Sequence, residues 1–102
     1  MADAHVKVED DQFDTDSDDK SVASTFGWAM YLEVIGGDDG CAHGSIVKMP
    51  DNITVVSRSQ DGIGKIEPEG VIDEHGNYRI IAEATAPLGS GKTSEAHVWD
   101  RW

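Results

Sequence analysis

The sequence predicts a small all-β domain, a sandwich or barrel of about six to seven short antiparallel strands, with an α+β fold as the alternative. Three observations support this prediction. Turn-forming residues recur at short intervals through residues 36–91, β-branched and aromatic runs lie between them, and one run alternates between apolar and polar residues. The length of 102 residues suits a single domain.

Glycine, proline, aspartate and asparagine mark the turns, because these residues adopt or preset the backbone angles that turns require. The turn segments are Gly36–Gly40, Pro50–Asn52, Gln60–Gly62, Glu67–Gly70, Asp73–Asn77 and Pro87–Gly91. The predicted strands are Ser45–Met49, Ile53–Arg58, Gly62–Glu67, Gly70–Asp73, Asn77–Ala84 and Ala96–Trp102. Such close spacing is typical of all-β domains.

The segment Asn77–Ala84 has the clearest strand pattern. Alternation places Tyr78, Ile80, Ala82 and Ala84 on one face and a more polar set, including Ile81, on the other. With Val71–Asp73 and a turn at Glu74–Gly76, it is predicted to form a β-hairpin.

The segment Phe26–Ile35 fits either a strand or a helix. As a strand it places Trp28, Met30, Leu32 and Val34 on one face. As a helix it would be capped by Thr25 and stopped by Gly36. We favour the strand, because Gly36–Gly40 could then form a hairpin connection into Cys41–Met49.

The first 20 residues carry eight acidic and two basic side chains, a net charge of −6, which is half of the −12 of the whole chain. Phe13 is the one aromatic residue among them. Since such a segment buries little apolar surface and its charges repel one another, residues 1–24 are predicted to be a disordered acidic arm and linker. The compact β-rich domain would then comprise residues 25–102.

The charge and composition disfavour several classes of function. Only eight lysines and arginines are present, too few for a track of phosphate contacts, so direct binding to nucleic acid is not expected. Repulsion from anionic lipid and the lack of a long apolar run argue against a membrane protein. No signal-peptide pattern is present, and the single cysteine, Cys41, cannot form an internal disulfide, so a cytoplasmic location is expected.

The sequence gives little support for either of two possible metal sites. Cys41 and His43 would share one face of a strand, and with His75, His97 and Asp38 or Asp39 they could bind zinc, but their spacing matches no known zinc motif. The run Asp14–Asp18 begins like a calcium-binding EF-hand loop, yet Asp19 stands where glycine is required and Thr25 where glutamate is required. We therefore predict no metal, no cofactor and no catalytic residue.

The binding residues are predicted at the two ends of the chain. Near the C-terminus, Trp99, Arg101 and Trp102 combine the residue types that dominate protein-binding hot spots. Near the N-terminus, Asp14, Asp16, Asp18 and Asp19 would attract a basic surface over a distance.

The function predicted from these features is a non-catalytic protein-binding or assembly module that docks on a basic partner. It could be a structural subunit or an acidic inhibitor that mimics nucleic acid, and association with a second copy would help a core of this size. The alternatives are a salt-adapted acidic domain, suggested by 13 Asp against five Lys, and a small metal-dependent enzyme using Cys41 and His43.

Overall fold

The computed structural model describes residues 1–102 as a β-sandwich of nine strands without a helix. The strands are β1 (Asp3–Glu9), β2 (Phe13–Val22), β3 (Phe26–Ile35), β4 (Cys41–Met49), β5 (Ile53–Asp61), β6 (Gly64–Ile66), β7 (Glu69–Ile72), β8 (Gly76–Thr85) and β9 (Thr93–Asp100). The all-β prediction is confirmed, although six to seven strands were expected. No helix that could cross a membrane is present.

The strands form two sheets in which every pairing is antiparallel. Sheet A has the order β1-β9-β3, and the short strands β6 and β7 pair with different halves of β3. Sheet B has the order β2-β8-β4-β5. Connections therefore run mostly from one sheet to the other, and β4–β5 is a true hairpin.

The core lies between the sheets and follows the expected alternation. The strand prediction for Phe26–Ile35 is confirmed, and Trp28, Met30, Leu32 and Val34 all point inward and are buried. From sheet B, Tyr78, Ile80, Ala82 and Ala84 meet them, also as predicted. Gly44 of β4 permits the close approach of the sheets, because a Cβ there would lie 2.6 Å from the sulfur of Met30.

The prediction of a disordered arm over residues 1–24 is wrong, because the segment supplies two strands. Ala2, Ala4, Val6 and Val8 are buried at every second position of the first segment, and β1 pairs with β9 over seven residues. Small side chains suffice here, since the inward face needs only to fill the edge of a thin core. β2 pairs with β8 over ten residues through its backbone, and most of its acidic side chains remain exposed.

The predicted hairpins at Glu74–Gly76 and Gly36–Gly40 are also wrong. β7 pairs with β3 in sheet A, whereas β8 pairs with β2 and β4 in sheet B. The turn at Glu74–Gly76 thus crosses between sheets, and the Tyr78 hydroxyl fixes it by donating to the Glu74 carbonyl at 2.8 Å. Gly36–Gly40 crosses in the same way from β3 to β4.

Adjacent isoleucines on β8 test the direction of the side chains. Ile80 is fully buried, whereas Ile81 lies on the outer face of sheet B. Ile80→Ala is expected to lower the free energy of unfolding by about 2–5 kcal/mol, the cost of a large cavity in a core. Ile81→Ala should cost clearly less in the same urea titration, and equal losses would contradict this orientation of β8.

Candidate functional site

The outer face of sheet A carries five aromatic or imidazole rings, which we call the aromatic face. Its members are His5, Tyr31, His97, Trp99 and Trp102. The strand register aligns three of them across the sheet, because His97 is paired with His5 on one side and with Tyr31 on the other. Trp99 lies two residues after His97 on β9 and therefore points to the same face.

Three of these rings stack in a row. The ring centroids of His5 and His97 are 4.5 Å apart, and those of His97 and Trp99 are also 4.5 Å apart. The rings are tilted by 38° and 36°, an arrangement within the range favoured by aromatic pairs. His97 therefore contacts a ring on each of two neighbours, His5 and Trp99.

Carboxylates orient both histidines. His5 Nε2 lies 2.6 Å from Glu95 Oε2, and His97 Nε2 is hydrogen bonded to the carboxylate of Asp3. The two pairs cross between β1 and β9, since each histidine bonds an acid of the other strand. Such bonds fix the ring orientations.

Tyr31 adds a hydroxyl group to the aromatic face. Its hydroxyl donates to Glu33 Oε1 at 2.9 Å, and Lys65 Nζ lies 5.7 Å from its ring centroid. The bond to Glu33, together with partial burial and the nearby charges of Glu33 and Glu95, raises the pKa of Tyr31 to about 12. The hydroxyl thus stays a proton donor throughout the ordinary pH range.

Trp102 follows the end of β9 and folds back over Gly27. The Arg101 N–H donates to the Gly27 carbonyl at 2.7 Å, and a Cβ on Gly27 would lie 2.7 Å from the indole atoms Cε2 and Nε1 of Trp102. The indole therefore needs glycine beneath it. Its other side is open, since Trp102 is 56% exposed. Arg101 beside it makes a loose ion pair of 3.6 Å with Glu69.

Carboxylates of β2 close the open edge of β1, in a structure we call the carboxylate seam. Asp16 Oδ2 accepts the backbone N–H of His5, and Asp18 Oδ2 accepts that of Asp3, each at 3.0 Å. These N–H groups belong to the edge of sheet A that has no neighbouring strand. The side chains of one sheet's edge strand thus satisfy the backbone of the other.

Asp100 is buried on the side of the sandwich that carries the carboxylate seam. It receives Lys20 Nζ of β2 at 2.5 Å and the backbone N–H of Ala2 at 2.9 Å. Burial alone would raise the pKa of Asp100, but the bond and charge of Lys20, with the Ala2 N–H and the terminal ammonium, lower it below its ordinary value. Asp100 therefore links β1, β2 and β9 as a carboxylate.

The other two predicted binding acids of β2, Asp14 and Asp19, do not bond to β1. Asp14 accepts only the N–H of its neighbour Thr15, at 2.9 Å. Asp19 pairs with Arg79 of β8, Oδ1 to Nε at 2.7 Å, and this bond lowers the pKa of Asp19. That pair lines a shallow groove of about 320 Å³ beside Met49 and Pro50, on the sheet B side of the molecule.

The zinc candidates are not brought together. Cys41 and His43 lie on β4 in sheet B, His97 lies on the opposite outer face, and His43 Nε2 instead contacts the Ser57 hydroxyl at 2.9 Å. No three histidine, cysteine, aspartate or glutamate side chains converge to hold a metal ion. Burial, followed by a hydrogen bond to Asp61, raises the pKa of the Cys41 thiol.

The structure groups most of the predicted binding residues and adds others. Trp99, Arg101 and Trp102 lie on or beside the aromatic face, and Asp16 and Asp18 border it through β1. Asp14 continues the acidic edge, whereas Asp19 turns toward Arg79. Sequence reasoning missed His5, Tyr31 and His97, although the spacing of His97 and Trp99 on a predicted strand indicates a shared face.

Comparison with known proteins supports the fold alone. No protein-family model and no curated protein matches the chain. Among solved structures, the carbohydrate-binding module CBM36 in complex with calcium and xylotriose is 16% identical, with a TM-score of 0.51, over 92% of this chain and 77% of that one. PirA is 8% identical, with a TM-score of 0.49, over 97% and 93%.

A third solved structure is PliG from Aeromonas hydrophila, a periplasmic inhibitor of g-type lysozyme. It is 17% identical, with a TM-score of 0.43, over 98% of this chain and 87% of that one. Identities this low establish no family. The likeness to the carbohydrate-binding module agrees with the sandwich architecture described above.

The seam can be tested with single alanine variants. Asp16→Ala and Asp18→Ala each remove the acceptor of an edge N–H, so each is expected to lower the free energy of unfolding by about 0.5–1.5 kcal/mol. Asp14→Ala is the matched control, because it removes the same charge from the same strand without touching β1. Equal losses at all three positions in denaturant titrations would mean that charge, not the seam, is responsible.

The lowered pKa of Asp100 predicts that the stability of the fold depends on pH. Because the folded-state pKa of Asp100 is lowered, its carboxylate stabilises the fold above the unfolded pKa of about 3.9 and loses that contribution as the pH falls through the folded value. Asp100→Asn should cost about 1.5–3 kcal/mol at pH 7. The difference from wild type should shrink below about pH 4, and a constant difference down to pH 2 would contradict the assignment.

Proposed function

We propose that the protein is a non-catalytic module that docks on a basic protein surface. The aromatic face provides the anchor, and the acidic edge of β2 provides long-range attraction. The observation that carries the proposal is the seam, because Asp16 and Asp18 lie against the strand whose outward residues include His5. In this proposal, two features far apart in sequence act together as one docking surface.

The chemistry of the surface favours a cationic partner. Trp102 is 56% exposed, and an exposed indole suits a guanidinium or ammonium group. Glu69 nearby in the fold is paired with Arg101 at 3.6 Å, so a cationic partner would compete with Arg101 for this carboxylate. Charge attraction from the acidic edge acts on the association rate and is screened within about 8 Å at physiological salt. Desolvation of the aromatic anchor acts on the dissociation rate.

A carbohydrate ligand is the second candidate, suggested by the CBM36 fold and the row of rings. A sugar ring would stack on an exposed aromatic face, and the rings of His5, His97 and Trp99 use part of their surface in contacts with one another. The presence of charged groups at the rim also favours a cationic protein.

The interpretation of the chain as a salt-adapted acidic domain is weaker, since half of the excess negative charge lies in residues 1–20. A cytoplasmic location remains part of the proposal.

A peptide library tests the partner chemistry directly. Selection of phage-displayed random peptides against the immobilised protein should enrich sequences rich in arginine and lysine. An array of neutral oligosaccharides that includes xylotriose is probed in parallel. Enrichment of uncharged peptides would overturn the proposal, and saturable binding of a neutral sugar would replace it with the carbohydrate reading.

Variants separate the anchor from the attraction, using a selected basic peptide in surface plasmon resonance. Trp102→Ala should speed dissociation about 30-fold at every salt concentration, the effect of losing a 2 kcal/mol hot spot. Asp11 lies in the turn that leads into β2. Asp11→Asn combined with Asp14→Asn should slow association severalfold at low salt and little at high salt. Asp51→Asn combined with Asp73→Asn, which changes the same charge at the opposite end of sheet B, is the control.

A further inference from the structure

The strand β5 is a long sheet edge that has no strand paired with its outer side. It ends sheet B and pairs only with β4. Of the other edges, β6 has three residues and β7 has four, whereas β1 and β2 contact each other, and two carboxylates of β2 accept N–H groups of β1. An unpaired edge of nine residues presents backbone donors and acceptors that can pair with another strand.

We propose that β5 pairs with β5 of a second copy, joining two B sheets into one continuous sheet. The strand is electrically neutral, with Arg58 and Asp61 as its charged residues, in a chain of net charge −12. Two copies that approach through β5 therefore bring little like charge into direct opposition. Arg58 is exposed, with its Cζ 5.7 Å from the ring centroid of Trp28, and its Nη1 donates to the backbone carbonyl of Ser57 in the same strand at 2.9 Å. A strand that pairs at this carbonyl would have to replace that bond.

The exposed apolar residues along this edge are arranged for self-pairing. Ile53 and Val55 lie at the start of β5, and Ile63 follows its end, with exposed fractions of 57%, 42% and 59%. In a two-fold antiparallel pair, the start of β5 in one copy meets the end of β5 in the other. The apolar residues at one end then cover those at the other end of the second copy.

A bulge restricts the pairing. The register shifts between Ile46 and Val47 of β4, which leaves Val55 of β5 without a partner in the ladder. The regular part of the edge is Val56–Asp61, which is short for a tight interface. The dimer should therefore be weak and form with increasing concentration.

Light scattering coupled to size exclusion, from about 10 μM to 1 mM, measures the association. The wild type should change from monomer to dimer over this range, and backbone amides within Val56–Asp61 should gain protection from hydrogen exchange as the dimer forms. Val55→Lys should keep the protein monomeric, because a lysine on an edge opposes strand pairing. Val71→Lys is the control, since it places the same substitution on an exposed valine of β7.

The outcomes are decisive in either direction. A dimer in wild type and Val71→Lys, but not in Val55→Lys, supports the proposal. A melting curve shows whether Val55→Lys is folded, and Ile53→Lys, at an even more exposed position, replaces it if it is not. A wild type that stays monomeric to 1 mM, or a dimer whose amide protection lies outside β5, overturns the proposal.

Discussion

The side of the sandwich where β1 and β2 meet determines how the rest of the molecule is built. Each strand is the last of its sheet, so its outward backbone groups need partners other than a further strand. Asp16 and Asp18 accept those of β1, and the Lys20–Asp100 pair closes the far end. With this side closed by side chains, the two sheets can remain separate and keep an apolar core of mostly small residues between them.

This seam also explains why a segment with a net charge of −6 folds. Its apolar contribution is small, but it is placed at every second position and is completely buried, from Ala2 to Val8. The acids are not simply tolerated on the solvent side, because two of them bond the neighbouring strand. Disorder was predicted from the charge density of this segment and from its few large apolar residues. Neither measure registers alternation between alanine, valine and polar residues.

The predictions that succeeded depend on local periodicity, whereas those that failed depend on pairing between distant strands. The inward faces of Phe26–Ile35 and Asn77–Ala84 follow from the period of two and were predicted correctly. Whether two successive strands form a hairpin or cross between sheets depends on which other strands they meet. A glycine-rich turn suits either connection, and Gly36–Gly40 crosses between the sheets, so turn composition could not decide between the two.

The candidate site shows the same division. A strand that continued to the last residue would place Trp99 and Trp102 on opposite faces of the sheet. In the structure β9 ends at Asp100, and the chain then folds back so that Trp102 covers Gly27 on the face that also carries Trp99. Asp100, between them, is held inside by Lys20 and Ala2. The buried ion pair of Asp100 and Lys20 therefore holds the end of β9 two residues before the exposed indole of Trp102.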